Sequence, residues 1–327
     1  MRLRTRIAAL ALAVAVAGGG VAAWAATGGP GAGAASANIA ASPRSTHAAK
    51  PRKPRPSGPV IEVAGAPKGV KAKGAVLADA ATGQVLWGRD LEVERPMASI
   101  TKVMTALLVL QAGDLGREIR VPKAAQTYAF EYGGETAGLY PGDVLTAQDL
   151  LNAMLLASGA DAAYTLATTY GPGMPAFIAK MNATAARMGM THTHFTSPDG
   201  LPYPTETSTY STPSDLLILG LAAMRYPAFR AIVDQQFYHL RKGPGHHQYW
   251  WDNTSDFVGS YTGAVGIKDG YTDDAGHCLL FEAVRNRREL IGVVLDSPAD
   301  GIDAAVQDAE QLLNWGFGLR QAHAPIP

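Results

Sequence analysis

Ser99 and Lys102 are separated by two residues in the segment MASITKVMTALL, a spacing that suits covalent catalysis. The apolar pattern after Ser99 predicts a helix, which carries Lys102 one turn further along on the same face as the serine. A serine at a helix start has backbone N–H groups nearby, and these favour developing negative charge. A neighbouring lysine of lowered pKa can take the hydroxyl proton. Taken alone, the pair is more typical of a helix-capping serine and a solvated lysine.

Two further polar segments follow in chain order. Ser158 stands in LLASGADAA, between two predicted helices, and Lys268 and Gly270 stand in VGIKDGYTDDAGHCLL, on a predicted strand. An S-x-x-K pair together with S-D-N and K-T-G segments is the motif set of penicillin-recognising enzymes. With these segments in order, the sequence resembles a low-molecular-mass penicillin-binding protein of the serine-type D-alanyl-D-alanine carboxypeptidase family.

The resemblance covers nearly the whole globular part of the chain. The segments that carry it, in the family's order and spacing, are ADAATGQVLWGRD, PMASITKVMTALL, GDVLTAQDLLNAMLLASGADAA, ARMGMTHTHFTSPDGLP, STPSDLLILG and VGIKDGYTDDAGHCLL. The implied fold class is α/β (α+β): an antiparallel sheet flanked by helices with an inserted all-helical subdomain, as in penicillin-recognising serine transpeptidases and β-lactamases.

The resemblance also implies a role for each motif residue. Ser99 would be the acylated nucleophile, Lys102 its general base and Ser158 a proton relay toward the leaving amine. The backbone N–H groups of Ser99 and Tyr271 would form the oxyanion hole, in which each donor is typically worth about 3 kcal/mol or more. The implied partners are peptidoglycan stem peptides ending in D-Ala-D-Ala and β-lactams that acylate the same serine. This chemistry requires no metal and no organic cofactor.

The implied substrate-binding residues depart from the family pattern at two places. The set comprises Lys268, which would hold positive charge in the cleft, together with Asp269, Gly270 and Ala160. The family usually has asparagine where this chain has Ala160 and threonine where it has Asp269. A carboxylate about 4 Å from the substrate's terminal carboxylate costs from about 1 kcal/mol in water to about 4 kcal/mol at a semi-exposed site. Neutralisation by Lys268 or Arg241, or a proton held by Asp269 in a crowded site, would remove this cost. We therefore expect the acylation machinery to be kept and carboxylate recognition to be altered.

Three functions are compatible with these residues. The first is removal of the terminal D-alanine from stem peptides through an acyl-serine intermediate. The second is D,D-transpeptidation, which differs in the acceptor amine. The third is a wall-binding protein whose turnover has been weakened by the changes at Ala160 and Asp269. A pure binding protein has no need to keep both serines and both lysines, which favours an enzyme. A β-lactamase is disfavoured because no E-x-x-N segment is evident.

The remaining reactive side chains indicate no competing site. Neither a G-x-S-x-G nor an H-E-x-x-H segment accompanies the histidines, so we interpret them as surface or loop residues. Those considered are His192, His194, His246, His247 and His277. The single cysteine, Cys278, lies in the apolar run HCLLFEAV and is predicted to be a small buried side chain.

The apolar periodicity predicts the elements that must position the motifs. GAVLADAATGQVLWGRD predicts a hairpin that turns at residues 81–83. Helical patterns follow, beginning with SITKVMTALLVLQAG, in which one face carries Ile100, Val103, Met104 and Leu107. Strand patterns return from about residue 233, with RNRRE joining the last two strands, and IDAAVQDAEQLLNWGF predicts a closing helix. This order predicts an antiparallel sheet interrupted by a helical insertion.

The composition and the termini set the organisation of the chain. The 327 residues have a formal net charge of zero and are 47% hydrophobic, so a large core is available and no basic excess points to nucleic acid.

Residues 1–26 have the pattern of a signal peptide, and the same apolar run could instead serve as a membrane anchor. Residues 27–60 are predicted to be a disordered basic linker rich in Ala, Pro and Gly. A catalytic domain is predicted over 61–320 and a tail over 321–327. The expected location is extracytoplasmic, either secreted or tethered at the cell wall.

Overall fold

The computed structural model describes residues 66–298 and 304–319. The predicted leader, linker and tail therefore lie outside the described residues, and their assignments stay predictions. The chain divides into units 1–52 and 53–327, and every described residue belongs to the second unit.

A five-stranded antiparallel sheet with the order β2-β1-β11-β10-β9 forms the centre of the protein. Its strands are β1 (Gly74–Asp79), β2 (Val85–Arg89), β9 (Ala264–Thr272), β10 (Gly276–Arg285) and β11 (Arg288–Ser297). Because β1 pairs with β11, the first and last strands of the chain meet in the middle of the sheet. Everything between β2 and β9 is an insertion between strands of this sheet, which confirms the predicted sheet with its inserted subdomain.

The two predicted hairpins of the sheet are present. In the first, the Asp79 carboxylate accepts hydrogen bonds from the Thr82 backbone and hydroxyl, and Gly83 adopts a φ of 72°. In the second, Asn286 and Arg287 adopt φ values of 50° and 64°, as the tight turns that match the twist of hairpin strands require.

The insertion is mainly helical. Its helices are α1 (Lys102–Ala112), preceded by a 3₁₀ turn (Ala98–Thr101), α2 (Lys123–Glu131), α3 (Ala147–Leu155), α4 (Ala160–Tyr170), α5 (Met174–Arg187), α6 (Pro213–Ala223), α7 (Pro227–Val233) and α8 (Phe257–Ser260). The final helix, α9 (Ala304–Gly318), packs against β11 and β10. No single helix of the described residues has the length and apolar composition to cross a membrane, and α6 with α7 meets those criteria only as a pair bent by 110°.

Helix α1 departs from the predicted single apolar face. Residues 102–110 are all buried, including Lys102 and Thr105. The helix runs through the core between the sheet and the surrounding helices, where α3, α4, α5 and α6 all contact it. A helix that is buried all round needs no polar face.

Several short elements of the insertion were not predicted from the sequence. Helix α2 buries only two alanines, so its sequence shows no run of large apolar residues. Three two-stranded sheets complete the insertion. One of their strands, Phe237–Leu240, confirms the strand pattern that returns from about residue 233; the others were missed because segments of two to four residues are too short to show a period. The strands of these sheets are β3 (Arg95–Pro96) with β6 (Tyr210–Ser211), β4 (Glu118–Arg120) with β5 (Val144–Thr146), and β7 (Phe237–Leu240) with β8 (Tyr249–Asp252).

Candidate active site

Ser99 lies in the 3₁₀ turn that leads into α1, at the junction of the sheet and the helical insertion. The preceding residue, Ala98, has a φ of 46°, a left-handed conformation that is uncommon outside glycine. The turn is pressed against Gly200, where an added Cβ would lie 1.9 Å from the Ala98 carbonyl oxygen. The surrounding chain therefore holds Ala98, the residue before the serine, in a strained backbone conformation, as is frequent at functional sites.

Lys102 is the first residue of α1, and its side chain is buried beneath the serine. Its Nζ donates to Ser99 Oγ at 2.8 Å and to the Asp199 carbonyl oxygen at 3.0 Å. The pKa of Lys102 is lowered from 10.5 to about 8, chiefly by burial; the Asp199 carboxylate acts to raise it and the Lys268 ammonium acts to lower it. A lysine with this pKa can lose its proton near neutral pH and then accept one from the serine.

Ser158 approaches the same hydroxyl from the other side. It lies between α3 and α4 with a φ of 55°, it is 2% exposed, and its Oγ donates to Ser99 Oγ at 3.2 Å. The hydroxyl of Ser99 thus contacts one buried amine and one buried hydroxyl. This arrangement can remove a proton from Ser99 and return one to a leaving group.

Strand β9 closes the site from the sheet side. A Cβ on Gly270 would lie 2.8 Å from the Ser99 backbone nitrogen and 3.1 Å from the Ala98 Cβ, so only glycine allows this approach. The next residue, Tyr271, is 51% exposed. The structure brings the strand that carries Tyr271 to the Ser99 backbone, and the oxyanion hole formed by their N–H groups stays a prediction.

Lys268 and Asp269 form an ion pair beside this strand edge. Lys268 is 1% exposed; its Nζ lies 2.5 Å from Asp269 Oδ1 and donates to Thr254 Oγ1 at 3.2 Å. The Thr254 hydroxyl in turn donates to Asp269 Oδ1 at 2.9 Å. Of the two cations suggested for Asp269, Lys268 is its partner, and no ion pair of the described residues joins Asp269 to Arg241.

Ala160 lies within the protein rather than on an open wall of the cleft. It is fully buried at the start of α4, where its N–H donates to the Glu135 carbonyl oxygen at 2.8 Å. A Cβ on Gly134 would lie 2.8 Å from the Ala160 Cβ, so the chain at Gly134 covers this position closely. The substrate contact predicted for Ala160 stays a prediction.

Three contacts of the site come from residues that the sequence did not single out. Asp199, in the segment SPDGLP, accepts a hydrogen bond from Lys102 through its backbone oxygen, a contact that no side-chain pattern reveals. Thr254 lies two residues beyond the end of β8 and donates to Asp269 of the Lys268–Asp269 pair. Gly200 contributes because it has no side chain, which lets the turn at Ala98 pack directly against it.

Within the described residues, the cysteine and the histidines form no hydrogen bond with the Ser99 side chain. Cys278 is buried, as predicted, and burial raises its thiol pKa to about 12. Across residues 66–298 and 304–319, no group of three or more His, Cys, Asp or Glu side chains is placed to hold a metal ion. His247 instead pairs with Asp143 at 3.0 Å, and His192 with Glu94 at 3.3 Å.

Comparison with known proteins places this geometry in a family. The family model of D-alanyl-D-alanine carboxypeptidases, peptidase family S11, matches residues 61–299. The D-alanyl-D-alanine carboxypeptidase DacB2 of Mycobacterium tuberculosis is 38% identical over 245 residues, which cover 75% of this chain and 81% of the relative. The D-alanyl-D-alanine carboxypeptidase of Streptomyces sp. strain K15 is 36% identical over 250 residues, covering 73% of this chain and 84% of the relative.

A solved structure agrees with these sequence relatives. The crystal structure of the Streptomyces K15 DD-transpeptidase superposes with a TM-score of 0.73 at 34% identity, and the match covers 78% of this chain and all of that one. The likeness extends over the sheet and the helical insertion that together frame Ser99. The chain belongs to the serine-type D-alanyl-D-alanine carboxypeptidase family, with the penicillin-recognising fold.

Proposed function

We propose that the protein removes the terminal D-alanine from peptidoglycan stem peptides through an acyl-serine intermediate. The observation that carries this proposal is the hydrogen bond of 2.8 Å between Ser99 Oγ and the buried Nζ of Lys102. Membership of the carboxypeptidase family supports the same reaction.

The first half of the reaction forms the acyl-enzyme. Neutral Lys102 takes the hydroxyl proton of Ser99, and Ser99 Oγ attacks the carbonyl carbon of the penultimate D-alanine. The negative charge on the carbonyl oxygen would be held by the backbone N–H groups of Ser99 and Tyr271. Collapse of the tetrahedral intermediate breaks the peptide bond, and the D-alanine amine leaves with a proton passed through the Ser158 hydroxyl.

The second half releases the acid product. A water molecule gives a proton to Lys102 and attacks the ester carbon, and the Ser99–carbonyl bond then breaks with return of the proton to Ser99. With a pKa of about 8, roughly a tenth of Lys102 is neutral at pH 7. An ordinary lysine with a pKa of 10.5 would be neutral in only about one molecule in several thousand.

D,D-transpeptidation is the second candidate for the same site. The solved neighbour from Streptomyces K15 is named a DD-transpeptidase, which supports this alternative. The two reactions share the acyl-enzyme and differ in whether water or an amine attacks it. Adding an acceptor amine such as glycylglycine during turnover separates them by the ratio of transfer product to acid.

The proposed place of action is outside the cytoplasm. The signal-like pattern of residues 1–26 and the basic composition of residues 27–60 support export and contact with the anionic polymers of a cell wall. The proposed partners are D-Ala-D-Ala stem peptides as substrates and β-lactams as acylating inhibitors. Fractionation of cells that express the full chain tests this location.

D-alanine release tests the proposed reaction directly. The full chain and its Ser99→Ala variant are incubated with an N-acylated L-Lys-D-Ala-D-Ala peptide, and free D-alanine is measured with a D-amino-acid oxidase. We expect release by the unmodified protein and none by the variant. Equal release by both, or release by neither, contradicts the proposal.

A further inference from the structure

Asp269 occupies the position next to the cleft lysine and engages that lysine directly. Asp269 Oδ1 accepts from Lys268 Nζ at 2.5 Å and from the Thr254 hydroxyl at 2.9 Å. The Lys268 ammonium also donates to Thr254 Oγ1 at 3.2 Å, so the three side chains form a closed network. Within the described residues no hydrogen bond joins Lys268 to Ser99 or Ser158.

The network leaves this edge of the cleft without net positive charge. Burial of Asp269 acts to raise its pKa, but the Lys268 ammonium and the hydrogen bonds from Lys268 and Thr254 outweigh that effect and lower the pKa below its usual value. The carboxylate is therefore ionised and cancels the charge of Lys268. The Asp269 side chain remains 34% exposed, so a ligand at this edge meets the carboxylate as well as the lysine.

The surroundings add further negative charge. Beyond the end of β9, Asp273 accepts from the Tyr271 hydroxyl at 3.2 Å. Burial and then the carboxylates of Asp274 and Asp273 raise the pKa of Glu206. In the described part of the chain, Lys268 is the one ion-pair partner of Asp269 within 4.0 Å. Within the described residues, a substrate carboxylate at this edge therefore meets the Asp269 carboxylate beside a lysine that is already paired.

We propose that Asp269 is a specificity-determining residue that selects against a free carboxylate on the residue after the scissile bond. The favoured substrates are D-Ala-D-Xaa peptides in which that residue is amidated or continues into a further peptide link, as it does in cross-linked material. The inference rests on the proposed serine acyl-transfer at Ser99, and it names the substrate class of that same site. The terminal acid remains a substrate, and the amide or internal peptide is the better one.

A matched substrate pair tests this directly. The probes are an N-acylated L-Lys-D-Ala-D-Ala peptide as the free acid and the same peptide as the C-terminal amide, with release of D-alanine or D-alaninamide followed by mass spectrometry. For the unmodified protein we expect kcat/KM for the amide to exceed that for the acid. For Asp269→Thr we expect the amide-to-acid ratio to fall at least tenfold, chiefly because KM for the acid falls.

The Asp269→Asn variant separates charge from shape. It keeps the size of the side chain and an oxygen to accept from Lys268 but removes the negative charge. If charge sets the preference, Asp269→Asn shifts the ratio in the same direction as Asp269→Thr. A ratio that stays at the unmodified value in both variants, or that shifts in Asp269→Thr alone, overturns the inference. Equal cleavage of the two peptides by the unmodified protein, or a preference for the acid, also overturns it.

Failure of the inference is distinguishable from failure of the proposed function. Acid cleavage that depends on Ser99, combined with rejection of the amide, overturns the specificity inference and leaves the carboxypeptidase in place. Cleavage of neither peptide, with no acylation of Ser99 by a fluorescent penicillin, overturns both.

Discussion

The Lys102 ammonium nitrogen lies between two oxygens, Ser99 Oγ at 2.8 Å and the Asp199 carbonyl oxygen at 3.0 Å. The carbonyl contact directs the amine at the serine, since a backbone oxygen can accept from Nζ but cannot compete for the serine proton as a base. Because Lys102 is 2% exposed, the amine is desolvated in the same position. The contacts among Ser99, Lys102 and the Asp199 carbonyl oxygen thus explain how a lysine, instead of a histidine or a metal ion, can activate the serine.

Replacing the buried amine removes the base while keeping the volume of the side chain. We expect Lys102→Met to slow acylation by a fluorescent penicillin about 10²- to 10⁴-fold, the usual contribution of a positioned general base. The rate is measured by gel fluorescence against time. Lys73→Met is the matched control, because the Lys73 side chain is 64% exposed, and it should leave the rate unchanged. Equal rates in the Lys102 and Lys73 variants would contradict the assigned base.

The acylation rate should rise with pH, with a midpoint near 8, because the neutral amine is the active form and burial lowers the pKa of Lys102 to about 8. In Asp199→Asn the midpoint should move to lower pH. The Asp199 carboxylate favours the ammonium form, so its removal lowers the pKa of Lys102 still further. Rates are measured over pH 6 to 10 with a neutral reporter ester. A midpoint that moves upward in Asp199→Asn would rule out this electrostatic link.

We expect the Ser158 hydroxyl to take part in proton transfer, separately from the backbone conformation of residue 158. We expect Ser158→Ala to lower kcat about 10²- to 10³-fold through loss of proton transfer. Ser158→Gly also lacks the hydroxyl but suits the φ of 55° better than alanine does. Similar losses of kcat in both variants support the relay. Recovery of activity in the glycine variant would show that backbone geometry, not the hydroxyl, had been lost.

A methyl group on Gly270 should separate strand β9 from the nucleophile turn, because its Cβ would lie 2.8 Å from the Ser99 nitrogen. We expect Gly270→Ala to reduce kcat/KM at least about tenfold and to lower the unfolding free energy by about 1–3 kcal/mol, as overpacking does. Both are measured, by turnover and by urea denaturation. Gly318→Ala makes the same change where no neighbour lies within 4 Å, and it should retain full activity.

The sequence predicts those parts of the site that depend on spacing along one element. Ser99 and Lys102 lie one helical turn apart, so the turn itself brings them together. The central strands follow from short apolar runs, and the hairpin at Asn286 follows from the turn residues between two of them. The orientation of residues 102–110 is harder to predict, because a helix buried on every side has no polar face to mark which side points outward.

Contacts between residues far apart in the chain depend on how distant segments pack, so they cannot be predicted from the pattern of a single sequence. The Asp199 carbonyl oxygen reaches Lys102 over a separation of 97 residues. Thr254 reaches Asp269 over 15 residues through the bend after β8. The sequence indicated that Asp269 needed a neutralising cation and offered two candidates; only the packing of Lys268 decided between them.

Mapping the covalent adduct of benzylpenicillin tests the central claim most directly. The full chain is incubated with benzylpenicillin, its intact mass is recorded, and the modified peptide is sequenced by tandem mass spectrometry. We expect a gain of one penicillin per molecule, located on Ser99 and absent from Ser99→Ala. An adduct on another residue, or no adduct on the unmodified protein, would contradict Ser99 as the nucleophile.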